Sequence, residues 1–150
     1  MIRESSKCKI ILDTEPLIKL FSKEEGWDCV QKILSAIEAG KIEAAISVVT
    51  LTEIYYKYLH EKRRDIAKTR TDELKYAVYI RKLDVTEETA IKAGEFKGKY
   101  SIPIADAQIA AAAYAEGLII ISDDADFKKI AEVKTLTGKE FTSLIRDKLK

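Results

Sequence analysis

The sequence is short of several residues on which common chemistries depend. It has one histidine, His60, so a catalytic triad or any other histidine-based acid–base scheme is largely excluded. Its two cysteines, Cys8 and Cys29, stand in neither a CxxC nor a zinc-ligand spacing. They read as reduced thiols of a cytoplasmic protein, with a disulfide between them as the lesser reading. No apolar run approaches the roughly 20 residues that cross a bilayer. Arg3, Glu4, Lys7, Lys9, Asp13 and Glu15 all fall in the first twenty positions, where a secretory leader would carry its apolar core. There is no P-loop, no GxGxxG and no nucleophile elbow. Neither sign of charge dominates: 26 Lys and Arg face 25 Asp and Glu, so overall charge argues neither for nor against a nucleic-acid partner. Any contact with a polyanion must come from a local patch. Asparagine is absent and methionine occurs once, while Lys, Glu and Ile abound, a bias resembling that of a thermophile.

What is present indicates a soluble globular protein, 47% hydrophobic and 34% charged, read as a single domain over residues 1–150. The chain is organised around Ile104 to Phe127. An alanine-rich helix ends at Gly117, a buried strand runs from Leu118 to Ile121, and an acidic turn follows. Before it, Lys9 to Leu12 reads as a first strand with Asp13 at its tip. Pro16 then opens a short helix holding Leu17, Ile18, Leu20 and Phe21. A helix is expected from Trp27 to Gly40, and a strand over Ile42 to Val49. Thr50 opens the next helix, with Leu51, Ile54, Tyr55, Tyr58 and Leu59 as its apolar stripe. Lys62 to Asp72 reads as a polar turn, Asp72 to Arg81 as a helix, and Leu83 to Val85 as a weak strand. Thr86 caps a helix reaching about Lys99. After the central unit come a helical turn over Lys128 to Ile130 and a strand over Val133 to Leu136. A terminal helix from Thr137 to Lys150 directs Phe141, Leu144, Ile145 and Leu149 inward. Strands alternating with helices predict an α/β fold: three layers, α/β/α, around a parallel sheet of about five strands.

Asp13, Glu53, Asp106 and Asp124 stand out, because each sits at a strand end or at the helix start that follows one. Singly, each has an ordinary explanation. Asp13 could begin a turn, and Asp106 could be a first-turn acid favoured by the helix dipole. Thr50 and Glu53 match a capping box, and Asp123 to Asp126 could be a solvated loop. Jointly the balance shifts, since a parallel sheet brings all four to one edge, where open α/β sheets bind ligands. At about 5 Å and an effective dielectric near 20, each pair of like charges costs roughly 3 kcal/mol. Such a cluster calls for raised pKa values or a cation. Oxygen ligands without His or Cys select Mg²⁺ or Mn²⁺ over zinc.

The segments Ile11-Leu-Asp-Thr14, Ser47-Val-Val-Thr-Leu-Thr-Glu53, Ile104-Ala-Asp-Ala-Gln-Ile-Ala-Ala-Ala113 and Ser122-Asp-Asp-Ala-Asp-Phe127 resemble, in order and spacing, the PIN-domain nucleases. The resemblance is strongest to VapC-type toxins of toxin–antitoxin pairs and covers nearly the whole chain. It implies that Asp13, Glu53, Asp106 and Asp124 are the metal-binding and catalytic acids, with Asp126 a secondary candidate. It implies Mg²⁺- or Mn²⁺-dependent hydrolysis of single-stranded or looped RNA, and exposed apolar helix faces in the first half of the chain are expected to dock a small antitoxin protein or a second copy in a homodimer. One departure is Glu15, where family members often carry a small polar residue; it is expected to face solvent, with Pro16 setting the helix entry.

Lys57, Lys62, Arg63, Arg64, Lys68 and Arg70, interleaved with Tyr55, Tyr56 and Tyr58, form a candidate RNA track. The simpler reading is a solvated, helix-ending charge run with Tyr55 and Tyr58 in the core. Three rivals remain. A phospho-acceptor receiver module would need paired acids after strand one and a lysine after the last strand; here Asp13, Glu15 and Lys139 are the nearest match. A PIN-like RNA-binding subunit would lack catalysis. A ribosomal or transfer RNA processing nuclease would act outside any toxin–antitoxin pair.

Overall fold

The computed structural model describes residues 7–149. Arg3, Glu4 and Lys150, invoked above, lie outside them. The elements in order are β1 (Lys9–Leu12), α1 (Thr14–Ser22), α2 (Trp27–Glu38), β2 (Glu43–Ser47), α3 (Val48–His60), α4 (Arg64–Lys75), β3 (Ile80–Leu83), α5 (Glu87–Tyr100), α6 (Ile104–Glu116), β4 (Ile119–Ile121), α7 (Ala125–Lys128), β5 (Thr135–Leu136) and α8 (Gly138–Leu144), followed by a 3₁₀ turn over Arg146–Leu149. Every strand pairing is parallel, and the five-stranded sheet has the order β3-β2-β1-β4-β5. The expected α/β/α architecture is therefore present.

The period of two along the strands divides the core. Ile10, Leu12, Ala44, Ile46 and Ile121 face a layer built from α1, α2, α3, α4 and α8, which contributes Leu17, Ile33, Ile54, Leu74 and Phe141. Ile11, Ala45 and Ile120 face the opposite layer, where Ala93 and Phe96 of α5 meet Ala107, Ile109, Ala110, Ala111 and Ala113 of α6. Alanine on α6 permits close approach to the sheet and to α5, a short-range packing that bulkier residues would prevent. Gly117 ends that helix at φ +68, a left-handed geometry that glycine adopts without strain. Chain order reverses beside β1, which continues to β2 on one side and pairs with β4 on the other. A crevice consequently opens at the carboxyl ends of β1 and β4.

Several boundaries differ from those expected. β2 stops at Ser47, whose hydroxyl accepts the Val49 N–H at 3.2 Å and caps α3. The mostly β-branched run Ile46 to Thr50, broken only by Ser47, mimics a longer strand, but it is helical from Val48 onward. α1 begins at Thr14, within the Thr14-Glu15-Pro16 entry expected, with Pro16 at its third rather than its first position. Lys62 to Asp72 is mostly helix, not turn: α4 occupies Arg64–Lys75 and ends well before Arg81. Only Ala67 and Leu74 of α4 are buried, an apolar stripe too thin to mark the helix in sequence. β3 lies at Ile80–Leu83, and its central Arg81 and Lys82 suit an edge strand. α7 precedes the expected turn at Lys128 to Ile130, and β5 is shorter than expected. The terminal helix breaks after Leu144, which is 58% exposed, whereas Phe141 and Ile145 are buried. Among the described residues no helix is long and apolar enough to cross a membrane.

Candidate active site

Four separated segments deliver acids to the crevice. Immediately after β1 comes Asp13, which is 5% exposed. Its Oδ1 accepts the Thr14 N–H at 2.7 Å and its Oδ2 accepts the Ser122 hydroxyl at 2.7 Å. Asp13 thus caps α1 and is tied to the turn beyond β4. Ser122 is fully buried, and its oxygen in turn accepts the Asp124 N–H at 2.9 Å. Asp124 caps α7 by accepting the Asp126 N–H at 2.9 Å. From the first turn of α6, Asp106 enters the same space, 8% exposed. Oxygens of Asp106, Asp124 and Asp126 lie within 4.8 Å of one another, a spacing that suits a cation.

Glu53 reaches the crevice from within α3, more than a turn beyond the Ser47 cap. It does not complete a capping box with Thr50. Its Oε1 accepts the Thr14 hydroxyl at 2.6 Å, and Thr14 lies 3.3 Å from the Thr50 hydroxyl. Glu15 does not simply face solvent: it accepts the Asp123 N–H at 3.2 Å and lies 3.7 Å from Lys19. Lys19 also pairs directly with Asp123. Asp13, Glu15, Glu53, Asp106, Asp123 and Asp124 line one cleft of about 880 Å³, together with Lys19, Lys57 and Lys139.

Electrostatics follow from this crowding. Burial, the main cause, raises the Asp13 carboxyl to about 7 against the lowering effect of Ser122 and Thr14, with Glu53 and Glu15 adding to the rise. Asp106 is also raised to about 7, first by burial and then by Asp13, Asp124, Glu53 and Asp126. No hydrogen-bond donor or basic side chain among the described residues reaches the Asp106 carboxylate. Asp124 and Asp126 are half-buried, and Asp126 also pairs with Lys129 at 2.8 Å, so the unneutralised charge centres on buried Asp106, where a cluster of oxygen donors fits a hard divalent cation.

Sequence reasoning overlooked Lys19, Thr14 and Ser122. The i, i+4 spacing of Glu15 and Lys19 was a visible signal, as was the serine opening the acidic turn. The basic stretch contributes only Lys57 to the cleft. Tyr58 is buried and Tyr55 packs against the core, as the simpler reading held, while Tyr56 is exposed and stacks on His60 at 5.9 Å. Cys8 and Cys29 are free thiols.

Comparison with known proteins agrees with this architecture. Solved structures of similar fold include VapBC2 from Rickettsia felis bound to a promoter DNA fragment, with a TM-score of 0.71 and 20% identity over 86% of this chain and 98% of that one. VapBC-5 from Mycobacterium tuberculosis aligns with a TM-score of 0.60 and 24% identity, covering 87% and 98%. A toxin–antitoxin complex from Klebsiella pneumoniae gives 0.63 and 22%, covering 86% and 97%. No curated protein sequence matches. The PIN domain family matches residues 10–133, a span that takes in β1 through the segment before β5 and every acid of the cleft. The chain belongs to the PIN domain family.

Proposed function

We propose that this protein is a divalent-metal-dependent ribonuclease that cleaves single-stranded or looped RNA by water attack on the phosphodiester, and that it is the toxin of a toxin–antitoxin pair in the cytoplasm. The observation that carries the reading is the convergence of acids from four segments on Asp106, which has no neutralising partner among the described residues. Asp13, Asp106 and Asp124 would hold Mg²⁺ or Mn²⁺, with Glu53 completing the set and Asp126 close enough to join it. When bound, the ion would supply charge neutralisation and an activated water for phosphodiester hydrolysis.

The protein's own groups do the orienting. Thr14 and Ser122 aim the two oxygens of Asp13, and the Thr14 hydroxyl holds Glu53. Lys139 stands at the cleft to meet phosphates flanking the scissile bond, whereas Lys57, which also lines it, is already paired with Glu61. Toxin–antitoxin complexes among the structural neighbours support a small antitoxin as partner. Apolar side chains left exposed on α3 and after α4, including Tyr56, Tyr76, Val78 and Tyr79, support protein contacts with it or with a second copy in a homodimer.

The test is cleavage of a single-stranded RNA by purified protein with Mg²⁺ or Mn²⁺. Activity that disappears with a chelator, and in a folded Asp106→Asn variant, is the expected result. Undiminished cleavage by that variant would overturn the site assignment.

A further inference from the structure

Glu15 and Lys19 lie one turn apart on α1, yet both reach the turn between β4 and α7. Glu15 accepts the backbone N–H of Asp123 at 3.2 Å, and the Lys19 ammonium pairs with the Asp123 carboxylate while lying 3.7 Å from Glu15. The Lys19 side chain is only 22% exposed and that of Asp123 39%, so the contact is partly sheltered from water. Asp123 is bonded to Ser122 on one side, which holds Asp13 and Asp124, and to Asp124 itself on the other. Backbone and side chain of one residue are therefore gripped at once, immediately before the two acids that approach Asp106.

We propose that Glu15 and Lys19 are positioning residues: a clamp on Asp123 that sets the 122–126 turn so that Asp124 and Asp126 converge on Asp106. This rests on the metal-binding reading of the site. The sign of the effect distinguishes positioning from simple charge. Removing Lys19 makes the cleft more negative, so electrostatics alone would tighten cation binding. A lost clamp would weaken it.

The experiment is calorimetric titration of Mn²⁺ into the full chain and into four variants, paired with amide hydrogen exchange on the metal-free proteins. Lys19→Met and Glu15→Ala should bind Mn²⁺ about tenfold more weakly, the usual scale for losing a group that orients ligands. Lys19→Arg keeps the cation and Glu15→Gln keeps the acceptor for the Asp123 N–H, so both should stay close to the parent. Exchange at Asp123 and Asp124 should accelerate in Lys19→Met and Glu15→Ala, with protection of the core strands unchanged. Unchanged or tighter Mn²⁺ binding by Lys19→Met would overturn the clamp. So would a Glu15→Gln defect as large as that of Glu15→Ala, which would make Glu15 a ligand. If the parent binds no Mn²⁺ the metal reading falls, and exchange at Asp123 alone then decides the clamp.

Discussion

Two charged regions of this molecule look equally suggestive in sequence and behave in opposite ways. Between Lys57 and Arg70 most of the cations find acids two to four positions away. Lys57 pairs with Glu61, Arg63 with Asp65, Lys68 with Asp72 and Arg70 with Glu73. That charge is largely neutralised locally, at the surface for Arg63 and Lys68 and in half-buried pairs for Lys57 and Arg70, and exposed pairs are worth little. The cleft acids come from β1, α3, α6 and the turn after β4, and Asp106 has no such partner among the described residues. Charge that is balanced locally is evidence of solubility. Charge assembled from distant segments and left unbalanced, as at Asp106, is evidence of a ligand.

The comparison breaks most decisively at Asp106. Asp106→Asn should lower RNA cleavage by on the order of 10²–10³-fold or more in a gel-based assay while circular dichroism shows an intact fold. The next effect is on pH dependence. Asp13 and Asp106 bind protons up to about 7 when folded, whereas free aspartates lose them near 3.8. Between these values the folded state holds more protons than the unfolded one, so metal-free stability should fall as pH rises from about 4 to about 7. Urea denaturation across that range checks this, and Asp106→Asn should flatten the slope. Mn²⁺ affinity should rise over the same window, since protons and cation compete for these oxygens. A slope of the other sign would show that the acids are neutralised by something else.

A smaller loss is expected from Ser122→Ala, which strips Asp13 of a donor and the Asp124 N–H of an acceptor. Denaturant midpoints should register about 1–3 kcal/mol. The smallest effect belongs to the basic stretch. Lys68 is 75% exposed in its pair with Asp72, so Lys68→Ala should change stability by less than about 1 kcal/mol and leave RNA affinity nearly unchanged. A steep fall in RNA affinity with that variant would revive the stretch as an RNA track and erase the contrast.

Much of this was readable in advance wherever the signal was local. β1 and its terminal Asp13, α2, the Thr86 cap of α5, and α6 with its Gly117 stop all follow from periodicity and capping chemistry. Where local signals competed, reading failed. Thr50-Leu-Thr-Glu53 carries a capping-box pattern, yet Ser47 caps the helix and Glu53 is committed to Thr14, a partner remote in sequence. The polar composition of α4 concealed a helix that buries only two side chains. Glu15 looked solvent-facing because nothing near it in sequence reveals that Asp123 lies above it.

By itself the amino-acid order determined which stretches alternate or repeat with helical period, and hence that acids would stand at strand tips and helix starts. Those are short-range properties, set by backbone sterics and side-chain spacing within a few residues. Only the tertiary structure decided that β1 lies between β2 and β4, that Ser122 bonds Asp13, and that Lys19 reaches Asp123. Such contacts join segments from 34 to 109 positions apart, and which segments meet is selected by packing the whole core at once.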